Sequence, residues 1–333
     1  MYDIKEQLSK PQVQILVLFG TLALALISNH LFRDAGTPLN LLYVLFGILV
    51  VVEIAWFVAL EVKDGAKKYG WKHEVLDTII ALAVAIGIWF GASFILNTSS
   101  PISAVVSCSM LPDLQRGDFV IVQGAPVEAY DIDMSASEFG SLEDSAKISY
   151  DGNSATVPGS LYSYCLLDSK SDICRSFVRY PELFIEQKGP FTYRYERCGI
   201  TFSNGTEAAM PCLRSVIFEG EEYLTDFSND IIVYGPQPGD PYSAIGDIVH
   251  RVMFKVDVDG KGYYLTRGDN NPLLDIQVYD YNRGRGNQPV PEEQVRGKVI
   301  GRIPLLGYFK LFISGYFAED GQCKTQLSYT HEP

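Results

Sequence analysis

Histidine is nearly absent from this chain: 333 residues carry four, His30, His73, His250 and His331. Imidazole chemistry is therefore confined to very few positions. The six cysteines, Cys108, Cys165, Cys174, Cys198, Cys212 and Cys323, form no Cys-x-x-Cys pair with companion histidines. That excludes the common zinc-site spacings, so neither a metal nor a cofactor is expected. Positive charge is also short, with 27 Lys and Arg against 40 Asp and Glu and a net charge of −13. Residues 1–100 are nearly balanced, so the acidic excess lies in the remainder. This removes the basic footprint that nucleic-acid binding requires. Long apolar runs stop before residue 100, and there is no internal repeat or low-complexity tract.

What the N-terminal third does have is apolar length. Val13–Phe32 and Thr78–Leu96 contain no charged residue, and Leu39–Leu60 is interrupted only by Glu53. Each is long enough to cross a bilayer core of ~30 Å as a helix. Three transmembrane helices are therefore expected within a membrane domain of residues 1–98. The first run is too long for a cleaved signal peptide and has no clear processing site. Lys63, Lys67, Lys68 and Lys72 lie between the second and third runs, whereas only Arg33 lies between the first and second. The positive-inside rule puts that lysine loop and the N-terminus in the cytosol. Everything after Leu96 is then outside the cell membrane. Two readings stay open for Glu53: a functional intramembrane acid, or a residue shifted to the interface or paired between helices. His30 reads as interfacial.

Beyond Ser99 the pattern becomes short β-prone runs punctuated by Gly, Pro, Asn and Asp. Phe119–Gln123, Ser215–Glu219, Ile231–Tyr234, Asp247–Val258, Gly262–Thr266 and Lys298–Ile303 read as strands. Asp259-Gly260 fits a hairpin turn. A mainly-β domain is expected from residues 99–123 and 230–318, with a tail at 319–333. Arg302–Phe317 is too short and charged for a fourth span and reads as a terminal strand followed by a surface-seeking segment. Residues 124–229, rich in Ser, Gly, Tyr and acids, read as an inserted subdomain. Asn97-Thr98-Ser99 and Asn204-Gly205-Thr206 fit the weak glycosylation pattern. If the insertion is extracytoplasmic, disulfides Cys165–Cys174 and Cys198–Cys212 are expected as the local pairs, with Cys108 left free.

The reactive-looking stretch is Ser107-Cys108-Ser109-Met110-Leu111-Pro112-Asp113-Leu114-Gln115-Arg116-Gly117-Asp118. It follows the last apolar run and leads into a strand. A serine hydroxyl is a weak nucleophile and needs a neighbouring base, which in turn gains from an orienting acid. Among the histidines only His250, in Ile248-Val249-His250-Arg251-Val252, lies within a strand-like run of the outer domain. Arg267-Gly268-Asp269-Asn270-Asn271 and the nearby Asp275 could supply the acid. On composition alone that segment is simply a turn.

Taken in order, these stretches resemble the boxes of type I signal peptidases. The serine box matches at Ser107–Asp118 and a strand box at Asn229–Tyr234. His250 stands in the base box, where the archaeal and endoplasmic-reticulum branch has His and the bacterial branch has Lys. The final box matches at Gly268–Asn271 with Asp275. That branch often carries two adjacent acids where this chain has Leu274 and Asp275, so only the second is matched. Gly297, Pro304 and Leu306-Gly307-Tyr308 are similar to the closing strand.

The resemblance implies a membrane-bound serine endopeptidase that removes signal peptides from exported preproteins; the first two spans are extra relative to the single span common in that branch, so a multi-pass protein of an archaeal cell membrane is expected, with its catalytic domain on the extracytoplasmic side. It implies Ser109 as nucleophile, His250 as base, Asp275 as orienting acid and Asp269 as a supporting acid. Ser107 and Met110 are implied in oxyanion or substrate binding. The implied partners are signal peptides, the lipid bilayer and the protein-translocation machinery. Ser109 lies thirteen residues after Leu96, a tether of at most about 43–47 Å. The competing expectation is a non-enzymatic membrane receptor or assembly factor, in which Ser109 is buried or far from His250.

Overall fold

The computed structural model describes residues 17, 20, 21, 24, 37–142, 145–314, 316 and 321–329. The expected span at Val13–Phe32 falls outside them but for four residues, and His30 and His331 fall outside altogether. The chain divides into two compact units, one of residues 1–92 and 312–319, the other of residues 93–311 and 320–333.

In the first unit α1 spans Thr37–Tyr69 and contains the segment 39–60. It ends in Lys67 and Lys68, cations that suit a helix C-terminus. The following helix, α2, spans Trp71–Ile95. Among the described residues it is the one helix long and apolar enough to cross a membrane. Its 25 residues extend roughly 38 Å at the α-helical rise. None of them is buried against protein, as expected of a helix apolar all round. Within this unit Glu53 accepts a hydrogen bond from Thr21 Oγ1 at 2.6 Å.

The second unit is mainly β. Its chain begins with β1 (Ile102–Ala104), β2 (Phe119–Gln123) and β3 (Tyr130–Met134), then the one-turn α3 (Ala136–Gly140). Strands β4 (Ser145–Tyr150) and β5 (Asn153–Pro158) precede helices α4 (Leu161–Leu167) and α5 (Asp172–Arg179). There follow β6 (Phe184–Lys188), β7 (Phe191–Phe202), β8 (Glu207–Phe218), β9 (Glu221–Leu224) and β10 (Ile231–Tyr234). Next come β11 (Ile248–Val258), β12 (Lys261–Arg267), the short bridges β13 (Tyr279–Asp280), β14 (Arg285–Gly286) and β15 (Val290–Pro291), and β16 (Val295–Ile303). Helix α6 (Tyr308–Ile313) and β17 (Thr325–Ser328) close it. The terminal strand expected within Arg302–Phe317 thus stops at Ile303, and a short helix follows.

One sheet runs β1-β2-β16-β10-β11-β12-β15, with β3 added in parallel on β11. The other runs β5-β4-β6-β7-β8-β9, with β17 added on β7. Asp259 and Gly260 both have positive φ and join β11 to β12 with Val258 facing Lys261. This is the two-residue hairpin geometry that the Asp-Gly pair favours.

The second sheet is drawn largely from residues 124–229. Its longest strands, the adjacent β7 and β8, hold twelve residues each. The expected strand at 215–219 is only the end of β8. Pro211 lies inside that strand, opposite Arg197; proline is a poor strand residue, which hid the strand's length. Disulfides Cys198–Cys212 and Cys165–Cys174 form as expected. Cys108 does not stay free: it bonds Cys323, 215 positions away. The expectation that a crosslink beside Ser109 would be avoided fails because the C-terminal segment folds back onto the serine loop and brings Cys323 to it.

One apolar cluster passes through both sheets. It includes Ile148, Phe184, Phe191 and Val216 of the second sheet, Phe177 of α5, and Ile132, Phe254, Val256 and Leu265 of the first sheet. Leu274 and Ile276, which flank Asp275, belong to the same cluster. Burying each such side chain is worth about 1.5–3 kcal/mol.

Candidate active site

Strand β11 places His250. Its residues alternate between faces, so His250 and Arg251 point opposite ways. The segment following β12 supplies one carboxylate to each. His250 Nδ1 lies 2.6 Å from Asp275 Oδ2, and Nε2 lies 3.0 Å from Ser109 Oγ. With a carboxylate on one side and a hydroxyl on the other, Nδ1–H donates to Asp275 and Nε2 accepts from Ser109. The three side chains are nearly sealed, at 8% exposed for Ser109 and 4% each for His250 and Asp275. Ser109, His250 and Asp275 are thus in one continuous hydrogen-bonded line.

Arg251 takes the other acid. Its Nε donates to Asp269 Oδ1 at 2.8 Å and its Nη2 to Oδ2 at 2.7 Å. Nη1 donates to the Asn229 carbonyl at 2.6 Å, and Nη2 also pairs with Asp113. Burial opposes the Arg251 cation, but Asp269 and then Asp113 outweigh it and hold the guanidinium above its usual range. Asp269 therefore does not touch His250. It braces β11 from the opposite face, and Arg251, which it holds, reaches the serine loop by pairing with Asp113.

Asp275 begins a buried 3-10 turn, Asp275–Gln277. Its Oδ2 also accepts from Thr266 Oγ1 at 2.7 Å and Tyr234 Oη at 3.1 Å. Burial, and next the Asp275 charge, push the Tyr234 phenol well above its ordinary value. Tyr242 is raised for the same two reasons. Both phenols remain neutral, and Tyr234 serves Asp275 as a donor.

The serine loop is held by the Gly-Asp-Asn-Asn segment. Asn270 N–H donates to the Ser109 carbonyl at 2.7 Å, and Asn270 Nδ2 to the Cys108 carbonyl at 3.1 Å. A Cβ on Gly268 would lie 2.6 Å from the Ser109 carbonyl oxygen, so a larger residue would push the loop away. These contacts give the segment a purpose that turn propensity alone does not reveal. The Cys108–Cys323 disulfide adds a covalent tie, and Gln322 donates to Asn271 Oδ1 at 2.5 Å.

The cleft beside Ser109 has a volume of about 220 Å³ and is lined by Ser107, Tyr242, Ile248, Asn271 and Gln322 among others. Ser107 Oγ is 3.1 Å from Ser109 Oγ. The Met110 side chain points away, 1% exposed, and packs with Val105, Leu114, Val120, Val122 and Val233. Tyr242 and Gln322 were missed from sequence; the first has only a turn-like context, and the second lies in the tail, with no local signal.

Glu196, Cys198 and Cys212 bring three possible ligand atoms together. The two sulfurs are bonded to each other, so they are not available to a metal.

No family model matches the chain. An uncharacterized protein of Methanocaldococcus jannaschii is 27% identical over 224 residues, which cover 66% of this chain and 86% of that protein. Sec11, the signal peptidase complex catalytic subunit, is 37% identical in Sclerotinia sclerotiorum and 39% in Metarhizium robertsii, over 67 residues each. Those matches cover 20% of this chain and 37% of the Sec11 proteins' own length. The similarity is to signal peptidases. It is local, and it supports a signal-peptidase-like peptidase connected with signal peptide processing.

Proposed function

We propose that the protein is a membrane-bound serine endopeptidase that removes signal peptides from exported preproteins. The observation that carries this reading is the Ser109–His250–Asp275 line, with contacts of 3.0 and 2.6 Å. A receptor or assembly factor would place no such demand on Ser109 and His250.

In this mechanism His250 Nε2 takes the Ser109 proton as Oγ attacks the scissile carbonyl. The carbonyl oxygen becomes an oxyanion, stabilised by the Ser109 backbone N–H and the Ser107 hydroxyl. Asp275 fixes the tautomer and stabilises the imidazolium. The imidazolium then protonates the leaving amine, which is the new N-terminus of the mature protein. The signal peptide is left as an ester on Ser109. A water, deprotonated by His250, hydrolyses that ester and restores the serine. No metal or cofactor enters the chemistry. The small cleft fits the small side chains that signal peptidases accept next to the cut.

The proposed setting is a multi-pass archaeal cell membrane. Spans at 13–32, 39–60 and 78–96 would place residues 99–333 outside, where the translocation machinery delivers signal peptides in the bilayer. Residues 124–229 would form the inserted part of the extracytoplasmic domain.

The test is cleavage of a preprotein by the purified full chain in lipid vesicles, read by N-terminal sequencing of the product. One cut after the signal peptide, lost in Ser109→Ala, is expected. Intact preprotein with the wild-type protein, or equal cleavage by Ser109→Ala, overturns the reading.

A further inference from the structure

The turn that carries Asp275 is held by side chains from outside the serine loop and the histidine strand. Every carbonyl of Asp275–Gln277 accepts a side-chain donor. Asn287 Nδ2 donates to the Asp275 carbonyl at 3.0 Å. Lys188 Nζ donates to the Ile276 carbonyl at 2.9 Å. Ser160 Oγ and Ser163 Oγ donate to the Gln277 carbonyl at 2.7 and 2.8 Å. The Gln277 side chain in turn donates to Tyr195 Oη at 2.9 Å, and that hydroxyl donates to Glu186 at 2.5 Å. Lys188, Glu186 and Tyr195 belong to the second sheet, while Ser160 caps α4 and Ser163 lies within it.

Lys188 stands out in this set. Strand β6 alternates buried and exposed residues, with Phe184, Glu186 and Lys188 all on the inward face. Lys188 is only 4% exposed. Lysine is almost never buried this deeply without a partner, since removing an ammonium from water is costly. Its charge acts on Glu186, and it donates a hydrogen bond to the residue next to Asp275. A carbonyl beside a buried ammonium is held more firmly than one beside a neutral donor, because charge-assisted hydrogen bonds are the stronger class.

We propose that Lys188 is a positioning residue for Asp275: the second sheet uses its buried ammonium to fix the acid-bearing turn against His250. This rests on the Ser109–His250–Asp275 reading above. It gives the second sheet a role in the chemistry without any contact to substrate. A shift of the turn lengthens the 2.6 Å Asp275–His250 contact, and small misplacements of such groups are costly in rate.

The test uses the full chain in detergent micelles with a preprotein substrate. Lys188→Met keeps a similar side-chain shape and removes the charge and the donor. Its kcat should fall about 10- to 100-fold, with KM nearly unchanged. Lys188→Arg, which can still donate, should recover part of the loss. Phe184→Leu, on the same strand and face, is the control for general destabilisation and should lower thermal stability with little change in kcat. If Lys188→Met loses no more kcat than Phe184→Leu, the proposal is overturned.

A second readout does not need activity. With four histidines in the chain, ring-labelled histidine NMR can resolve the far-downfield Nδ1–H of His250 that a short bond to a carboxylate gives. In the Ser109→Ala protein, Lys188→Met should weaken or move that resonance, and Asp275→Asn should abolish it. An unmoved resonance in Lys188→Met overturns the positioning role. Loss of preprotein cleavage in the wild type, with the resonance still responding to Lys188→Met, would instead count against the peptidase reading alone. Should Lys188→Met fail to fold, Ser163→Ala removes one donor from the Gln277 carbonyl and should produce the same two changes in smaller measure. A folded Ser163→Ala protein with neither change would then overturn the proposal.

Discussion

Asp269 and Asp275 lie six positions apart and sit on opposite faces of β11, so replacing each with Asn should break different things. Asp269→Asn removes the charge that faces Arg251 through two short hydrogen bonds, in a pair where the side chains are 3% and 6% exposed. Removing one partner of a buried pair typically costs 3–5 kcal/mol, because the remaining charge is left uncompensated. Arg251 keeps the half-exposed Asp113 and the Asn229 carbonyl, so the low end, about 3 kcal/mol, is the better figure. For a domain of this size that lowers Tm by roughly 6–12 °C. Asp275→Asn leaves an acceptor oxygen for Thr266 and Tyr234, so its thermal cost should be smaller. It does remove the acid that sets the histidine tautomer, a change that costs about 10⁴ in kcat in a comparable serine–histidine–aspartate site. The assay pairs thermal unfolding of each purified variant with single-turnover cleavage of one preprotein. Asp275→Asn should stay folded and nearly inactive, and Asp269→Asn should be thermally weak but retain measurable turnover. The reverse pattern, with Asp269→Asn inactive at wild-type Tm and Asp275→Asn cleaving normally, would refute the sorting of the two acids by strand face.

Three further outcomes follow from the same structure. Replacing both Cys108 and Cys323 with Ala removes a closure over 215 positions and should cost about 2–4 kcal/mol in thermal unfolding. The Asn270 clamp still holds the serine loop, so kcat should fall far less than in Asp275→Asn; loss of all activity at unchanged Tm would contradict this. Burial pushes the Glu186 carboxyl above its ordinary value, although Tyr195, the Leu161 N–H and Lys188 oppose the shift. Its ionisation therefore favours the unfolded chain: the destabilisation sets in above the unfolded value of about 4.3 and is complete above the folded value. Glu186→Gln removes this pH-dependent cost, so its Tm relative to wild type should rise as the pH climbs above the unfolded value; a flat difference would contradict the shift. His250→Lys should lose most cleavage, because the strand sets the distance for an imidazole and lysine normally stays charged near neutral pH; turnover near that of the wild type would show that the position is not the base.

Much of the first sheet was legible in the sequence because each strand is short and bounded by turn residues. Phe119–Gln123 and Ile231–Tyr234 were readable to the residue, and the Asp259-Gly260 hairpin to its turn. Ser109 and His250 could be brought together on chemical grounds and by the resemblance of their boxes, since the residues after 99 offer so few histidines. The second sheet was not legible: Pro211 interrupts its longest pair, and its inward face carries Glu186 and Lys188 where a simple alternation expects apolar residues. Partners distant in sequence were invisible for another reason. Nothing in the spacing around Cys108 points to Cys323, and nothing around Asp269 points to Arg251 in preference to the adjacent His250. The sorting of the two acids depends on strand pleat, which is a property of the folded backbone.

The most direct measurement is the mass of the covalent intermediate. Wild-type protein and a preprotein are mixed, quenched in acid within a single turnover and digested, and the peptides are mapped by mass spectrometry. The signal peptide should appear as an ester on the peptide containing Ser109, and Ser109→Ala should give neither ester nor cleaved product. An acyl group on another residue, or full cleavage by Ser109→Ala, would contradict the assignment of Ser109 as the nucleophile.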